Sequence, residues 1–382
     1  MQPLPATLAS DWMSQASAQA ALAMGSGNLP HPNPSVGCVL VSPTGVLIGQ
    51  GHTQPVGGRH AETMALADAA ARGHRVAGAT AYVTLEPCSH QGRTGPCCDA
   101  LISAGIKRLV AAATDPNPLV GGRGFDRMRA AGVEVEVGPG AADCRALNIG
   151  FFSRMLRKRP WVRVKVAASL DGKTALDNGQ SQWITGEAAR TDGHAWRARA
   201  GAVLTGIGTI LEDDPRLDVR LIATQRQPLL VIVDSRLQTP PDAKLFTPGR
   251  QVLIYCAVLD AAKKATLEAK GAVVAHFPGR TGSIEKVDLA DMLHDLAVRE
   301  INDVHVESGH RLNGSLAREG LVDEWLVYLA PKMLGQGRDM AFWGPIASLA
   351  DATPLVFADV CRVGQDIRVV AQTLDANNFA KI

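Results

Sequence analysis

Four side chains in the first hundred residues have the makings of a metal-assisted hydrolase: His60, Glu62, Cys88 and Cys97. His60-Ala61-Glu62 opens the helix-forming stretch AETMALADAAARG, Pro87-Cys88 closes the strand-like AYVTLEPCS, and eight residues separate Cys88 from Cys97. Imidazole and thiolate are donors that zinc prefers in tetrahedral geometry, and three protein ligands leave a fourth position for water. Zinc lowers the pKa of such a water to about 7, so the nucleophile is available at neutral pH. Glu62 is not needed to hold the metal and is free to carry the proton from water to a leaving amine. A helix starting at Cys97 favours both thiolates through its dipole. The alternative is a structural zinc closed by a fourth ligand, Cys98 or His90, but such a clasp has no use for His-Ala-Glu at a helix start.

These groups need a frame. After an Ala-rich helical stretch, residues 36–41 and 46–51 flank a Pro-Thr-Gly turn and predict a hairpin. The helix AETMALADAAARG stops at Gly73, the strand AYVTLEPCS follows, and then come CDALISAG (helix), RLVAAATDP (strand), DRMRAAG (helix) and VEVEVGP (strand). Strand and helix in alternation predict a layered α/β domain with a largely parallel sheet. The basic run RMLRKRP ends at Pro160, just before the strand-like WVRVKVAAS, and marks a boundary between domains at 1–155 and 160–382. A solvated basic turn inside a single domain fits the composition equally well. Beyond it the alternation resumes, so the second domain is also α/β.

Composition limits the function. With 46% apolar and 20% charged residues the chain is that of a globular protein, and no apolar run approaches the length that spans a bilayer. The N-terminus lacks a basic segment followed by an apolar core, which makes the cytoplasm the expected compartment. Seven cysteines spread over 382 residues predict reduced thiols rather than a disulfide framework. Lys plus Arg against Asp plus Glu is 13 to 10 for residues 1–158 and 26 to 27 beyond. Neither half has the positive excess of a nucleic-acid binder, which leaves a small molecule as the expected partner.

The second half is less explicit. DVHVES runs into Gly309-His310-Arg311-Leu312-Asn313-Gly314-Ser315 and then a helix, an arrangement that presents backbone N–H groups to a phosphate. Ser315 stands where a P-loop has its lysine, which disfavours ATP, and Gly206-Ile207-Gly208 lacks the third glycine of a dinucleotide fingerprint. On these residues alone, a plain structural turn is the better account.

The H-x-E and P-C elements match the signature of zinc nucleobase deaminases, stretched between the cysteines. Together with HPNPSVGCVLV, TLEPCSHQGRTGPCCDAL and DPNP, and with KVAASLDGKTA, SQWIT, LEDDPRLDVR and VESG later on, the chain resembles the bifunctional deaminase and reductase of riboflavin biosynthesis over nearly its whole length. The long insertion between the cysteines is a trait of that family, and Gly95 replaces its usual proline. The resemblance implies a cytidine-deaminase-like three-layer domain followed by a dihydrofolate-reductase-like α/β domain. It further implies zinc on His60, Cys88 and Cys97, Glu62 as proton shuttle, and Asn33 against the pyrimidine. In the second domain it implies NADPH held by Ala167, Trp183, Thr209, Asp213, Ser235 and residues Gly309 to Ser315. A phosphorylated pyrimidine would meet Ser181, Arg197, Leu217, Arg220 and Glu307, and a homo-oligomer is implied as well.

Some of these positions have a physical logic of their own. Arg197 and Arg220 offer forked donors suited to phosphate, though each alone reads as a surface charge. Lys165 alternates with Val162, Val164 and Val166, and pattern alone turns it to solvent. If it faces a cleft instead, it polarises the sugar oxygen and Glu307 positions it. Asp171-Gly172 reads first as a turn.

Overall fold

The computed structural model describes residues 6–25, 31–90, 95–279 and 284–381, so residues 91–94 of the inter-cysteine insertion lie outside it. The chain divides into two compact units, at Arg157 and Lys158.

The first unit runs α1 (Ala6–Gly25), β1 (Gly37–Val41), β2 (Leu47–His52), α2 (Ala61–Ala71), β3 (Thr80–Val83), α3 (Cys97–Ser103), β4 (Arg108–Ala111), α4 (Arg123–Ala130), β5 (Glu134–Val137), α5 (Ala141–Leu147) and α6 (Ile149–Arg157). Its sheet has the order β2-β1-β3-β4-β5. The expectation of a largely parallel sheet holds for β3, β4 and β5. β1 runs antiparallel to both β2 and β3, because a tight hairpin reverses the chain. Helices cover both faces, which makes three layers. A Cβ at Gly37 would lie 1.9 Å from the Ala16 carbonyl oxygen of α1, and one at Gly49, on the other face, 2.4 Å from the Ala65 carbonyl oxygen of α2. Alanine-rich helices can come this close to a sheet because glycine and alanine leave the space. The predicted strand AYVTLEPCS is shorter than its β-branched pattern suggests and stops at Val83. Beyond it the chain turns so that the buried Glu86 carboxylate can accept hydrogen bonds from the Asp115, Gly122, Gly124 and Phe125 amides. Pro87 and Cys88 therefore sit in a loop rather than at a strand end.

The second unit runs β6 (Trp161–Ser169), β7 (Lys173–Ala175), α7 (Glu187–Arg199), β8 (Ala202–Gly206), α8 (Ile207–Asp213), β9 (Leu229–Val233), β10 (Val252–Cys256), α9 (Ala261–Glu268), β11 (Ala272–His276), α10 (Leu289–Val298), β12 (Asp303–Val306), α11 (His310–Arg318), β13 (Glu324–Ala330), β14 (Arg338–Asp339), β15 (Leu355–Val363), β16 (Asp366–Thr373) and α12 (Leu374–Lys381). Its main sheet has the order β11-β10-β9-β8-β12-β6-β13-β16-β15. Strands β11 through β13 in that order are parallel, and the β15–β16 hairpin adds antiparallel strands at one edge. One face of β6 and β12 is apolar: Val162, Val164, Val166, Val304 and Val306 pack with Met292, Leu293, Leu296 and Leu316. In-register pairing of His305 with Arg163 and with Val203 puts Arg163, Lys165 and His305 on the opposite face. The strand is thus central yet two-sided, a pattern expected of edge or half-exposed strands. The 309–315 segment is not a turn that precedes a helix. Gly309 is the extended N-cap, and α11 begins at His310, so the helix absorbs the stretch. Asp171-Gly172 is a turn, with Gly172 at φ 79° and the Asp171 carboxylate taking the Leu334 and Gly335 amides.

Candidate active sites

In the first unit, His60 precedes α2 in extended conformation, so that its ring and the Glu62 side chain emerge from the same helix start. α3 begins at Cys97, whose amide donates to Cys88 Sγ at 3.4 Å. Pro87 is fixed by the close approach of α4, where a Cβ on Gly124 would lie 2.1 Å from the Pro87 carbonyl oxygen. The His60 Nδ1 to Sγ distances are 3.6 Å for Cys88 and 3.3 Å for Cys97, and the three donor atoms lie within 4.8 Å of one another. One imidazole and two thiols converging on one point, in a half-buried setting, are a donor set that fits zinc.

The electrostatics agree with that fit. Hydrogen bonding from Cys97 pulls Cys88 down to about 4, with His60 adding to the effect, while Cys97 is pushed up because it donates to that thiolate. Glu62 is 3% exposed and is raised to about 7, first by burial and then by the Cys88 charge. The Cys38 thiol of β1 is raised well above its usual value by burial and by Glu62, which puts β1 beside this carboxylate. Asn33 is half-buried in the segment leading into β1. Cys98 is buried, but its thiol contacts Asp99 at 3.7 Å, and neither it nor His90 belongs to the three-residue cluster. Sequence reasoning passed over Glu86 and Asp115. Burial raises Asp115 to about 6, opposed by the Asn117 amide and supported by the Glu86 and Cys88 charges. Nothing local in TLEP or DPNP announces that Glu86 anchors the Asp115 loop, because the contact spans 29 residues.

In the second unit the charged face of β6 and β12 lies under α7. Lys165 does not turn to solvent: its side chain is 23% exposed, and its Cε would be 3.9 Å from a Cβ on Gly193 of α7. Its Nζ is 3.8 Å from Glu307 Oε2. Burial lowers Lys165, and the Glu307 carboxylate partly opposes that. Glu307 accepts from Arg197 Nε at 2.6 Å and Nη2 at 2.9 Å. Burial works against its charge, but Arg197, Lys165 and His305 together hold it far below the usual carboxylate range. Arg197 therefore directs its fork to a protein carboxylate, and its remaining Nη1 donates to the Asp218 carbonyl. Asp218 accepts from Arg220 Nη1 at 2.6 Å and Arg216 Nη2 at 2.9 Å, so two exposed guanidiniums gather on one buried carboxylate. The Arg220 amide donates to His194 Nδ1 at 3.2 Å. Asp218, His194 and His305 were not foreseen as site groups. LEDDPRLDVR hints at the first, and no sequence signal points to the histidines.

The other expected positions are spread around this face. Ala167 follows Lys165 on β6, and Ser181 and Trp183 lie between β7 and α7, with Trp183 60% exposed under the Arg190 guanidinium. Asp213 ends α8 and Ser235 follows β9, its hydroxyl accepting from the Val287 amide. Thr209 and Gly309 come together: a Cβ on Gly309 would lie 3.8 Å from Thr209 Oγ1. Asn313 and Gly314 face inward. Asn313 Nδ2 donates to the Met340 carbonyl at 2.9 Å, and a Cβ on Gly314 would lie 2.1 Å from the Phe342 carbonyl oxygen.

A thiol-imidazole metal centre in a three-layer α/β unit, followed by a parallel-sheet unit with a buried lysine–glutamate–arginine cluster, defines a two-part enzyme. The family models agree. Residues 10–113 match the cytidine and deoxycytidylate deaminase zinc-binding region, and residues 160–369 match the RibD C-terminal domain. The chain is 40% identical to the riboflavin biosynthesis protein RibD of Escherichia coli K12, over 88% of this chain and 92% of the relative. It is similarly 40% identical to RibD of Aquifex aeolicus, over 88% and 91%. Among solved structures, Acinetobacter baumannii RibD superposes with a TM-score of 0.86 at 39% identity, covering 96% of this chain and 99% of that one. The Thermotoga maritima protein named diaminohydroxyphosphoribosylaminopyrimidine deaminase/5-amino-6-(5-phosphoribosylamino)uracil reductase gives 0.82 at 30% identity, with the same coverage. The chain belongs to the RibD family of riboflavin biosynthesis proteins. It is a bifunctional member, joining a zinc-binding deaminase half to a reductase half.

Proposed function

We propose that residues 1–155 remove the 2-amino group of 2,5-diamino-6-(5-phosphoribosylamino)pyrimidin-4(3H)-one by hydrolysis, and that residues 160–382 then reduce the ribosyl chain with NADPH to give 5-amino-6-(5-phosphoribitylamino)uracil. The observation that carries this is the convergence of His60, Cys88 and Cys97 next to a buried Glu62, in one chain with the Lys165–Glu307 pair. His60, Cys88 and Cys97 are the zinc ligands in this reading, and the metal supplies Lewis acidity that makes water nucleophilic near neutral pH. Glu62 takes a proton from the attacking water and returns it to the departing amine, which its near-neutral carboxyl suits. Asn33 contributes to holding the ring.

In the reductase half, NADPH supplies the hydride, and the chain's own groups orient and polarise the sugar. Lys165 donates toward the ribose oxygen, and Glu307 keeps the ammonium in place while Arg197 holds Glu307. Arg220 is the exposed guanidinium suited to the substrate phosphate, with Leu217 and Ser181 lining the same ligand. Ala167, Trp183, Thr209, Asp213 and Ser235 are the cofactor contacts. From Gly309 to Ser315, the helix start at Gly309 to Leu312 offers N–H groups to phosphate, and Asn313 and Gly314 support it from below.

The balanced charge favours a free nucleotide over nucleic acid. No described helix is long and apolar enough to cross a membrane. A cytoplasmic homo-oligomer completes the proposal. Incubation with the diamino substrate, zinc and NADPH, followed by mass spectrometry, tests it. The expected result is an amino-to-oxo change and then a gain of two hydrogens, and the absence of both refutes the reading.

A further inference from the structure

The loop between α8 and β9 carries Leu217 and Arg220, and its main chain is held almost residue by residue, by Arg250 and Arg197 from outside and by the loop's own Gln227. Leu217 has φ 52°, a left-handed conformation that a leucine rarely adopts. Strain of this kind persists only where the surroundings enforce it. Arg250, which lies just before β10 and is 8% exposed, enforces it here: Nη1 donates to the Arg216 carbonyl at 2.5 Å and Nη2 to the Leu217 carbonyl at 2.7 Å. The next carbonyl, that of Asp218, is taken by Arg197, and the Val219 amide and carbonyl are both taken by Gln227.

Arg250 is unlike the other guanidiniums of this face. Arg197 and Arg220 each pair with a carboxylate, whereas among the described residues the side chain of Arg250 hydrogen-bonds only to the two loop carbonyls. Burial disfavours the Arg250 charge, which Asp218 and Glu307 partly support, and a forked donor matches two adjacent carbonyls as no other side chain does.

We propose that Arg250 is a positioning residue of the reductase half: by clamping the carbonyls of Arg216 and Leu217 it fixes the strained loop, anchored at the buried Leu217, that presents Arg220 to the phosphorylated pyrimidine. This rests on the reductase reading above. It goes beyond that reading because that reading gives Arg250 no contact with substrate or cofactor; its effect is on pyrimidine recognition alone.

The test uses the full-length protein, with NADPH oxidation followed on 5-amino-6-(5-phosphoribosylamino)uracil. Arg250→Met is expected to raise KM for the pyrimidine about tenfold or more, while kcat and the KM for NADPH stay near wild type. Arg250→Lys, whose single ammonium cannot span both carbonyls in fork geometry, is expected to fall between the two. If Arg250→Met does not fold, Arg250→Lys decides. A wild-type KM for the pyrimidine in the lysine variant, or equal rises in KM for pyrimidine and NADPH in either variant, overturns the proposal. A wild-type chain that oxidises no NADPH with this substrate instead refutes the reductase reading itself.

Discussion

Replacing Glu307 by glutamine removes one charge from a buried cluster and changes almost no volume. The carboxylate side chain is 12% exposed and receives both Nε and Nη2 of Arg197, whose side chain is 9% exposed, with Lys165 Nζ nearby. In the variant one carboxylate oxygen becomes an NH2 facing a guanidinium donor, and two cations lose their buried counter-ion. Removing one partner of a buried ion pair costs about 3–5 kcal/mol. At about 2–4 °C per kcal/mol for a domain of this size, the unfolding midpoint of the second unit falls by about 6–20 °C. Calorimetry of the full chain at neutral pH measures it. Because Glu307 is held below its ordinary range, its contribution is complete above the unfolded value of about 4.3 and is lost progressively as pH falls from there through the lower folded value. The gap between wild type and variant is therefore constant from pH 6 to 8 and narrows in acid. Adding Arg197→Met removes the stranded guanidinium and is expected to recover part of the loss, a coupling readable in a double-mutant cycle. A drop below about 2 °C, against the expected 6–20 °C, refutes the claim that the cluster is a closed ion network, as does strict additivity of the two changes.

Other outcomes follow from the same geometry. Glu62→Gln should keep zinc, measured by metal analysis after dialysis, and abolish the amino-to-oxo conversion while leaving NADPH oxidation on the deaminated intermediate intact; equal loss of both activities in folded protein counts against two independent sites. Among the described residues His305 has no hydrogen-bond partner at either ring nitrogen, and burial lowers it to about 3; His194 is lowered to about 4, by burial and then by Arg197. Both stay neutral when folded, so their stability contribution is full above the unfolded value of about 6.5 and is lost as pH falls toward the folded values. His305→Leu should therefore lose about 2 kcal/mol less than wild type between pH 7 and pH 5 in urea titrations, and an identical loss argues against a neutral buried ring. Gly314→Ala places a methyl 2.1 Å from the Phe342 carbonyl oxygen. It should destabilise the chain by about 1–3 kcal/mol through overpacking and raise KM for NADPH, and an unchanged midpoint would falsify the close contact.

Much of the metal centre was legible before any fold. Zinc donors are recognisable by residue type, and His60 and Glu62 are tied by helix geometry two residues apart, so their relation needs no tertiary information. The elements of both units were largely legible for the same local reason, since β-branched runs and alanine-rich stretches punctuated by glycine set strands and helices. The errors arose where main-chain groups from far along the chain intervened. Glu86 drew AYVTLEPCS out of the sheet after Val83, and packing against Met340 and Phe342 turned Asn313 and Gly314 inward within a helix.

The sequence by itself determined the metal chemistry, the alternation of elements and, through its motifs, the family. Only the tertiary structure decided what Lys165 does. A period of two tells which residues share a face of β6 but not what covers that face, and α7 covers the charged one, closing Lys165 onto Glu307 and Arg197. The Arg250 clamp belongs to the same class: it joins residues 33 and 34 positions apart, and only the folded chain brings that guanidinium to those carbonyls.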